Sequence, residues 1–420
     1  MKALDLQTKT MLTVAEIIEQ YSDPATEGQP WAVSWSGGKD STTVLVLVCR
    51  ALMMLPEARR TRWVNVIMSD TKIENPILED YMRRQVRQLN RWAKEHDMPI
   101  AAEIVSRPIK RSAWVGWLGW GWTLPTNGDD RYCTHALKIE PQNARLADIN
   151  PCLQLIGTRT EESARRAATI EKYREERGSR FTISPYSDGR RLYMPIVDYS
   201  TDEVWDILLN PLPWGSSEEI RKLYKDATGE CALVNPNGSV KATQACGARF
   251  GCWVCPPITK DRSTENMSDK YEWMKPLTAW RQLLKDVHNP KKHPELRSGY
   301  RRNRTPMGPG KGCLAIHARK YLLNRLLQTQ ADVNRLRELD ENPLHRPPIE
   351  LISQEEIEII RAAWAEDTEK RPWLIDNQEM EPGDFDRAEQ LLAEKAEIRK
   401  QKREEKKRLL ADKPMPPVTI

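Results

Sequence analysis

Two groups of residues in this sequence could do chemistry: a glycine-rich turn near the N-terminus and a group of cysteines in the middle of the chain. The turn reads Ser36-Gly37-Gly38-Lys39-Asp40-Ser41. Apolar runs at 31–35 and 42–48 flank it, which predicts a buried strand, a tight turn and a helix. Paired glycines let the backbone approach a ligand closely. Free N–H groups at a helix start, with a lysine beside them, favour an anion such as phosphate.

The cysteines lie well beyond this turn. The sequence holds eight, and four of them fall in one short region, at Cys231, Cys246, Cys252 and Cys255. Thiolates this close in sequence suit tetrahedral zinc or an iron–sulfur cluster. Disulfides are the weaker interpretation for a cytosolic chain. The spacing alone does not choose between the two metals.

Composition predicts a globular, soluble, cytoplasmic protein without a membrane partner. The chain has 420 residues, 39% hydrophobic and 30% charged, with a net charge of +5. This length can bury a large core and a smaller one. A run of about 18 apolar residues, which a transmembrane helix needs, is absent. The first 20 residues lack a signal-peptide layout. Because histidines number only six, we do not expect a histidine-rich catalytic centre.

Strand and helix patterns alternate along the first half of the chain. After the turn, apolar runs at 62–68, 100–105 and 152–156 predict strands, and a polar-faced helix is predicted at 77–96. This alternation predicts an α/β fold, a parallel sheet with helices on both faces. In such sheets ligands lie beyond the carboxyl ends of the strands. Because the glycine turn and Asp70 both end a strand, we expect them at one edge. Thr71 or Asn75 should cap the next helix, with Pro76 at its first position.

Two further segments contain candidate ligand-contacting groups. Cys133 lies in a polar turn between Arg131 and Lys138, where the cations favour a thiolate. Residues 113–122 contain four tryptophans among glycines. We expect a packed loop or lid there, and stacking on a nucleotide base is the alternative.

The segment that follows the strand at 152–156 is also polar. It runs Gly157-Thr158-Arg159-Thr160-Glu161-Glu162-Ser163-Ala164-Arg165-Arg166. Threonine, serine and glutamate at a helix start are ordinary capping residues. Arg159 and Arg166, however, are permanent charges suited to clamping phosphate, and this is the interpretation we favour.

The glycine turn resembles the PP-loop of the ATP pyrophosphatase superfamily, SGGKDS, whose members split ATP into AMP and pyrophosphate. The segment from Asp70 resembles the DTxxExP stretch of phosphoadenylylsulfate (PAPS) reductase-like proteins. Residues 157–166 match that family's G-x-R-x-x-E-S-x-x-R motif, and 195–205 match its P-I-x-D-x-x-x-x-x-x-W segment. The resemblance implies that residues of the first three of these segments bind the nucleotide. They are Ser36, Gly37, Gly38, Lys39, Asp40, Ser41, Asp70, Gly157, Arg159, Glu162 and Ser163.

The cysteine region resembles a narrower group. Residues 246–255 read CGARFGCWVC and 260–266 read KDRSTEN. These are similar to the signature of DndC-like DNA phosphorothioation sulfurtransferases, and the length fits the shorter SspD type at least as well. Residues 131–138 resemble the R-W-C-T-x-x-L-K signature of the same group, with Tyr132 replacing tryptophan. The resemblance implies a 4Fe–4S cluster, with Cys231, Cys246, Cys252 and Cys255 as ligands, and either sulfur handling or cluster ligation by Cys133.

It also implies a reaction and partners. The expected reaction uses ATP and Mg²⁺ to adenylate a DNA backbone phosphate and then replaces a non-bridging oxygen by sulfur, as in restriction-modification-like defence. Lys39, Asp40, Cys133, Arg159 and Arg166 are the expected catalytic residues. A cysteine desulfurase would donate the sulfur, and other subunits of a phosphorothioation system would assist. The alternatives are a PAPS or adenylylsulfate reductase, a tRNA thiolase, and a DNA-binding scaffold subunit with a vestigial nucleotide site.

Four regions are expected in chain order. These are an N-terminal helix at 1–30, a PP-loop domain at 31–215, an iron–sulfur and basic DNA-facing region at 216–335, and a charged helical region with a disordered tail at 336–420. The stretch 296–330 has eight cations and no acidic residue, which predicts a track for DNA phosphates. The alternative is a solvated basic loop and helix.

Overall fold

A computed structural model describes residues 5–125, 132–176, 178–184, 189–228, 251–258, 260–289, 291–308, 310–339, 348–374, 397 and 401. These residues form two compact units, each built from segments that are separate in the sequence. The first, the sheet unit, takes its described residues from Met1–Ala113, Pro125–Arg281 and Thr329–Leu351. The second, the helical unit, takes its described residues from Trp114–Leu124, Gln282–Gln328 and Ile352–Ile420.

The sheet unit has six strands in the part of the chain that the structure describes. They are β1 (Trp31–Ser34), β2 (Val64–Asp70), β3 (Ile100–Ser106), β4 (Leu153–Ile156), β5 (Phe181–Ile183) and β6 (Arg191–Tyr193). Their order across the sheet is β3-β2-β1-β4-β6-β5. All neighbouring strands are parallel except β5, which is antiparallel to β6. The predicted parallel sheet is confirmed, and the antiparallel edge strand is an addition to it.

Helices connect and follow the strands. The described helices are α1 (Leu6–Tyr21), α2 (Lys39–Met54), α3 (Pro76–Glu95), α4 (Tyr132–Thr134), α5 (Glu140–Ile149), α6 (Ala164–Tyr173), α7 (Thr201–Leu208), α8 (Glu218–Thr228), α9 (Arg262–Lys270), α10 (Lys275–Val287), α11 (Ile316–Glu338) and α12 (Gln354–Lys370). Short π-helical turns occupy Val115–Gly119 and His135–Ile139. Over the described ranges, no helix is long and apolar enough to span a bilayer.

Both faces of the sheet are covered. On one face, Leu146 of α5 packs against Ala32 of β1 and Ile67 of β2. The chain moves from β1 through α2 to β2, and then through α3 to β3, before it returns across the sheet to β4. Because parallel crossovers are right-handed, α2 and α3 lie on the face opposite α5. The predicted arrangement of helices on both faces is therefore confirmed.

Local capping fixes where α3 begins. The side chain of Asn75 accepts a hydrogen bond from the Ile77 N–H at 3.0 Å, and Pro76 takes the first helical position. An asparagine cap satisfies an N–H that has no partner within the helix, and proline fits where no N–H is needed. The prediction of this cap is confirmed, and it sets the direction in which the chain leaves β2.

The tryptophan-rich segment packs within the helical unit. Trp114 and Trp117 are fully buried and meet edge to face, with ring centroids 5.8 Å apart. Trp364 of α12 donates its indole N–H to the carbonyl of Leu118 at 2.7 Å. The expectation of a packed segment is confirmed. Because Trp114 and Trp117 are enclosed by protein, neither is available to stack on a nucleotide base.

Candidate nucleotide and thiol site

The turn at 36–41 has the conformation of an anion-binding loop. Gly37 adopts a left-handed φ of +72°, which glycine tolerates without strain. A side chain at Gly37 would also meet the Tyr81 ring at 3.3 Å. Gly38 is the N-cap of α2, so the first N–H groups of that helix point to the carboxyl edge of the sheet. The backbone therefore presents donors where an anion could bind.

The loop's own hydroxyls hold it in shape. The Ser36 N–H donates to Ser41 Oγ at 3.1 Å, and the two serine hydroxyls lie 3.0 Å apart. The Ser41 hydroxyl also donates to the Gly38 carbonyl at 3.2 Å. These bonds close the turn on itself, so its geometry is set before any ligand arrives.

Asp40 is held between two cations. Lys39 Nζ lies 2.8 Å from one carboxylate oxygen, and Arg159 Nε lies 2.6 Å from the other. Arg159 is 1% exposed and also donates to Glu161, to the Tyr199 carbonyl and to Thr201 Oγ1. In these contacts Arg159 positions Asp40 and joins the loop to the start of α7. A direct contact between Arg159 and phosphate stays a prediction.

Gly157 brings the end of β4 against the loop. A Cβ at Gly157 would lie 2.6 Å from both the Cα and the N of Ser41, and 2.8 Å from the carbonyl carbon of Asp40. Only glycine allows this approach, because the neighbouring atoms are backbone. The motif glycine predicted from the sequence is therefore explained by packing of two backbone segments.

The remaining residues of the 157–166 segment form a helix start. Ser163 is the N-cap of α6 and accepts from the Arg166 N–H at 3.2 Å. Glu162 forms an ion pair with Arg166, whose side chain is about half exposed. This is the capping arrangement that the composition suggested. A contact between Arg166 and phosphate stays a prediction.

Asp70 lies at the carboxyl end of β2, next to β1 and therefore on the same edge as the loop. It is 2% exposed and accepts from the Lys72 N–H at 2.7 Å. Its other oxygen lies 3.3 Å from both Lys72 Nζ and Arg83 Nη2. The predicted shared edge is confirmed by the strand order, and Asp70 is already paired with two cations there.

The cysteine pair at 252 and 255 joins this same edge through its backbone. The Trp253 N–H donates to the Ile73 carbonyl at 3.1 Å, and the Asn75 N–H donates to the Gly251 carbonyl at 3.4 Å. Glu74 and Cys252 thus face each other in an antiparallel bridge. Thr71 Oγ1 lies 3.4 Å from Cys252 Sγ. The polar turn after β2 and the CxxC segment are therefore one structural piece.

Lys138, five residues after Cys133 in the chain, also contacts the turn after β2. Ser69 Oγ donates to the Lys138 carbonyl at 3.1 Å, and Lys138 Nζ lies 2.9 Å from Glu74 Oε1. Burial opposes the charge of Lys138, but Glu74 and the nearby thiols outweigh it and raise the lysine pKa. Burial and, to a smaller extent, the neighbouring Cys133 raise the pKa of Cys255. Cys133 is thus close enough to Lys138 and Cys255 for its charge to affect both pKa values.

The thiols fit an iron–sulfur cluster in kind, but the described part of the chain does not complete one. Cys252 and Cys255 lie in one turn, whereas the predicted ligands Cys231 and Cys246 lie outside the described residues. Within the described ranges, no group of three histidine, cysteine or acidic side chains is arranged to hold a metal ion. The cluster and its ligand set stay predictions.

Two groups at this edge were not anticipated as site residues. Glu74 is 3% exposed, pairs with Lys138 and faces Cys252. Tyr224 of α8 accepts from the Lys39 N–H at 3.0 Å. Glu74 could have been found from its place in the DTxxExP stretch. Tyr224 could not, because no local pattern links it to a loop 185 residues away.

The basic stretch 296–330 is divided between buried and exposed cations, all within the helical unit where they are described. Arg297 and Arg319 are buried: Arg297 donates to the carbonyls of His288 and Gly312, and Arg319 pairs with Asp367. These two arginines are thus part of the interior and cannot line a surface track. The exposed members are Arg301, Arg304, Lys311, Lys320 and Arg325. Their contact with DNA stays a prediction.

Comparison with solved structures finds weak similarities. A PAPS reductase from Candida auris, as a phosphate complex, is 13% identical over 49% of this chain and 87% of that one, with a TM-score of 0.31. An FMN adenylyltransferase from Candida glabrata is 12% identical over 55% and 64%, with a TM-score of 0.33. The tRNA thiolase NcsA from Methanococcus maripaludis, with its 4Fe–4S cluster, is 12% identical over 66% and 79%, with a TM-score of 0.32.

No curated protein sequence matches the chain. The model of the phosphoadenosine phosphosulfate reductase domain matches residues 30–257, more than half of the chain. The matched range contains the PP-loop, Asp70, the 157–166 segment and the Cys252–Cys255 pair. The chain therefore belongs to the phosphoadenosine phosphosulfate reductase domain family, whose members are typically enzymes that act on nucleotides.

Proposed function

We propose that this protein is an ATP pyrophosphatase and sulfurtransferase that adenylates a DNA backbone phosphate and replaces one of its non-bridging oxygens by sulfur. The observation that carries the proposal is the backbone pairing of Ile73–Asn75 with Gly251–Trp253. This pairing attaches the thiols to the edge of the sheet that bears the PP-loop. A nucleotide-activated acceptor and a sulfur-handling group would then lie on one side of the molecule.

The PP-loop would hold the pyrophosphate part of ATP. Its N–H groups and the positive end of α2 attract phosphate oxygens, and the ammonium of Lys39 would balance the charge that grows on the leaving pyrophosphate. Asp40, fixed by Lys39 and Arg159, keeps the lysine in place. Both Asp40 and Asp70 already pair with cations, so Mg²⁺ would be held chiefly by the phosphates.

The chemistry has two stages. A phosphate oxygen of DNA attacks the α-phosphorus of ATP and pyrophosphate leaves, which turns a poor leaving oxygen into part of an AMP group. The terminal sulfur of a cysteine persulfide, supplied by a desulfurase, then attacks the DNA phosphorus and AMP leaves with the oxygen. A second thiol cleaves the sulfur–sulfur bond that remains and ends as a disulfide. Cys133, whose charge affects the pKa values of Lys138 and Cys255, is the candidate carrier.

A 4Fe–4S cluster would be held by Cys252 and Cys255 together with Cys231 and Cys246. Cys133 is the alternative to one of these ligands. When bound, the cluster would supply sulfur or electrons. The choice of DNA as acceptor rests on the resemblance of residues 246–255 and 260–266 to the phosphorothioation signature. The exposed cations of the 296–330 stretch are consistent with a polyanionic partner.

The test uses the anaerobically purified full chain with ATP labelled at the α-phosphate. We expect AMP and pyrophosphate to form, faster when DNA is added, and iron and sulfide to copurify. Lys39→Ala should lower the rate roughly 10²–10³-fold, the loss typical of one group that stabilises transition-state charge. Lys94→Ala, at an exposed position in the last turn of α3, is the matched control and should not change it.

The rival functions give different results in the same assay. Stimulation by tRNA and not by DNA would indicate a thiolase, and release of sulfite from PAPS without ATP cleavage would indicate a reductase. DNA binding with no pyrophosphate, unchanged by Lys39→Ala, would indicate a scaffold subunit. A colourless zinc protein without ATP turnover would also refute the proposal.

A further inference from the structure

A tyrosine from a distant helix reaches into the PP-loop. The Lys39 N–H donates to the hydroxyl of Tyr224 at 3.0 Å. Tyr224 is 6% exposed, and its ring meets Trp205 edge to face with centroids 5.0 Å apart. A Cβ placed on Gly38 would lie 3.4 Å from the same hydroxyl. The phenol oxygen therefore rests directly on the glycine turn.

This hydroxyl lies where a phosphate oxygen would bind. A phosphate at a helix N-terminus accepts hydrogen bonds from the first free N–H groups, at donor–acceptor distances of about 2.7–3.2 Å. The bond from Lys39 to Tyr224 falls in this range and uses one of those N–H groups. Two atoms cannot occupy the same position, so a phosphate oxygen that binds the Lys39 N–H must displace the hydroxyl.

The other donors of the turn do not meet the same obstacle. The Ser36 N–H and the Gly38 N–H bond to Ser41 Oγ and Ser36 Oγ, at 3.1 and 3.4 Å. Those acceptors belong to the loop itself and can rotate about one side-chain bond. Tyr224 has a rigid ring packed on Trp205, so moving its hydroxyl requires the ring or α8 to shift.

We propose that Tyr224 is a placeholder in the phosphate site. Its hydroxyl accepts the hydrogen bond of the Lys39 N–H in the ligand-free chain and is displaced by the pyrophosphate group of a nucleotide. The inference rests on the proposed function, because it takes the 36–41 turn as the phosphate site. It adds a residue that sets nucleotide affinity and a helix that responds to occupancy.

The response would extend beyond α8. Asp226, two residues after Tyr224, accepts from the Tyr271 hydroxyl at 2.8 Å and pairs with Lys270. The Ala227 carbonyl accepts from Asn266 Nδ2 at 2.9 Å. These contacts tie α8 to α9, the helix that follows the CxxC segment. A shift of α8 that displaces Tyr224 would thus also move α9, through these hydrogen bonds, and so affect the region of the thiols.

Titration calorimetry with inorganic pyrophosphate tests the placeholder. Tyr224→Phe keeps the ring on Trp205 but removes the competing oxygen. We expect about fivefold tighter binding, the factor that one neutral hydrogen bond represents. Tyr21→Phe is the matched control, because the buried Tyr21 hydroxyl also accepts from a backbone N–H, that of Arg62 at 3.0 Å, away from the loop. This control should bind pyrophosphate like the wild type.

Hydrogen exchange gives a second readout. Pyrophosphate should speed amide exchange in α8 of the wild type and change it less in Tyr224→Phe. Weaker binding by Tyr224→Phe would indicate that Tyr224 is a direct phosphate ligand and would overturn the placeholder. Equal binding by the wild type and the variant would also overturn it. If wild type and variant both bind no pyrophosphate or ATP, the proposed function fails as well. If the wild type binds and the variant matches it, only the inference fails.

Discussion

Gly157→Ala is the sharpest test of the site geometry. The added methyl would lie 2.6 Å from two backbone atoms of Ser41 and 2.8 Å from one of Asp40. A carbon atom needs about 3.5–4.0 Å from its neighbours. Since the crowded atoms belong to the first turn of α2, no side-chain rotation can relieve the contact. The loop and the end of β4 must move apart.

The size of the effect follows from this overlap. Inserting a methyl group into a closely packed place costs about 1–3 kcal/mol. For a domain of 150–250 residues, each kcal/mol lowers the melting temperature by about 2–4 °C. The same displacement moves the N–H groups that would bind phosphate. Because about 1.4 kcal/mol corresponds to a factor of ten, ATP binding should weaken by roughly five- to a hundredfold.

Thermal unfolding and ATP titration of the full chain measure both quantities. Gly251→Ala is the matched control, because a Cβ at Gly251 meets nothing within 4 Å among the described residues. It should unfold and bind ATP as the wild type does. If Gly157→Ala also behaved like the wild type, the close approach of β4 to the loop would be wrong, and with it our explanation of the motif glycine.

Three further predictions concern buried charge. Arg159→Met leaves Asp40 paired with Lys39 but removes the buried hydrogen bond to the Tyr199 carbonyl, so the free energy of unfolding in urea denaturation should fall by about 1–3 kcal/mol. An unchanged urea transition would contradict the burial of Arg159. Asp367→Asn removes the charge of a fully buried carboxylate that pairs with three arginines in the helical unit. The free energy of unfolding, measured in the same way, should fall by about 3–5 kcal/mol. Burial, followed by the charge of Arg297, lowers the pKa of His288 to about 3. In the unfolded chain, with a histidine pKa of about 6.5, this residue binds a proton over a pH range in which it stays neutral in the folded chain. The free energy of unfolding should therefore fall as the pH drops from about 6.5 towards 3. His288→Gln should flatten this slope in denaturation at a series of pH values, and an unchanged slope would contradict the assignment.

Much of the sheet unit could be predicted because its signals are local. The strand, glycine turn and helix around residues 31–48 follow from an apolar run, two glycines and a second apolar run. The Asn75 cap follows from one polar residue before a proline. Once parallel strands were inferred, the shared edge of Asp70 and the PP-loop followed from topology alone.

The missed features depend on contacts between distant segments. Arg319 and Lys320 are neighbours in a basic sequence, yet Arg319 is fully buried and Lys320 is exposed. Charge alone gives no indication of burial, because the partner, Asp367, lies 48 residues later. The bridge between Glu74 and Cys252 and the contact of Tyr224 with Lys39 are of the same kind. Each requires the folded chain, since neither periodicity nor spacing connects its partners.

The two anchors of the cysteine region have a consequence for variation among related proteins. On the N-terminal side of this region, α8 touches the PP-loop through Tyr224. On its C-terminal side, Gly251–Trp253 pairs with the turn after β2. Both contacts lie at the edge of the sheet that bears the PP-loop. In related proteins, the positions of the nucleotide loop and of the thiols should therefore depend on the residues that stand at 73–75 and at 224.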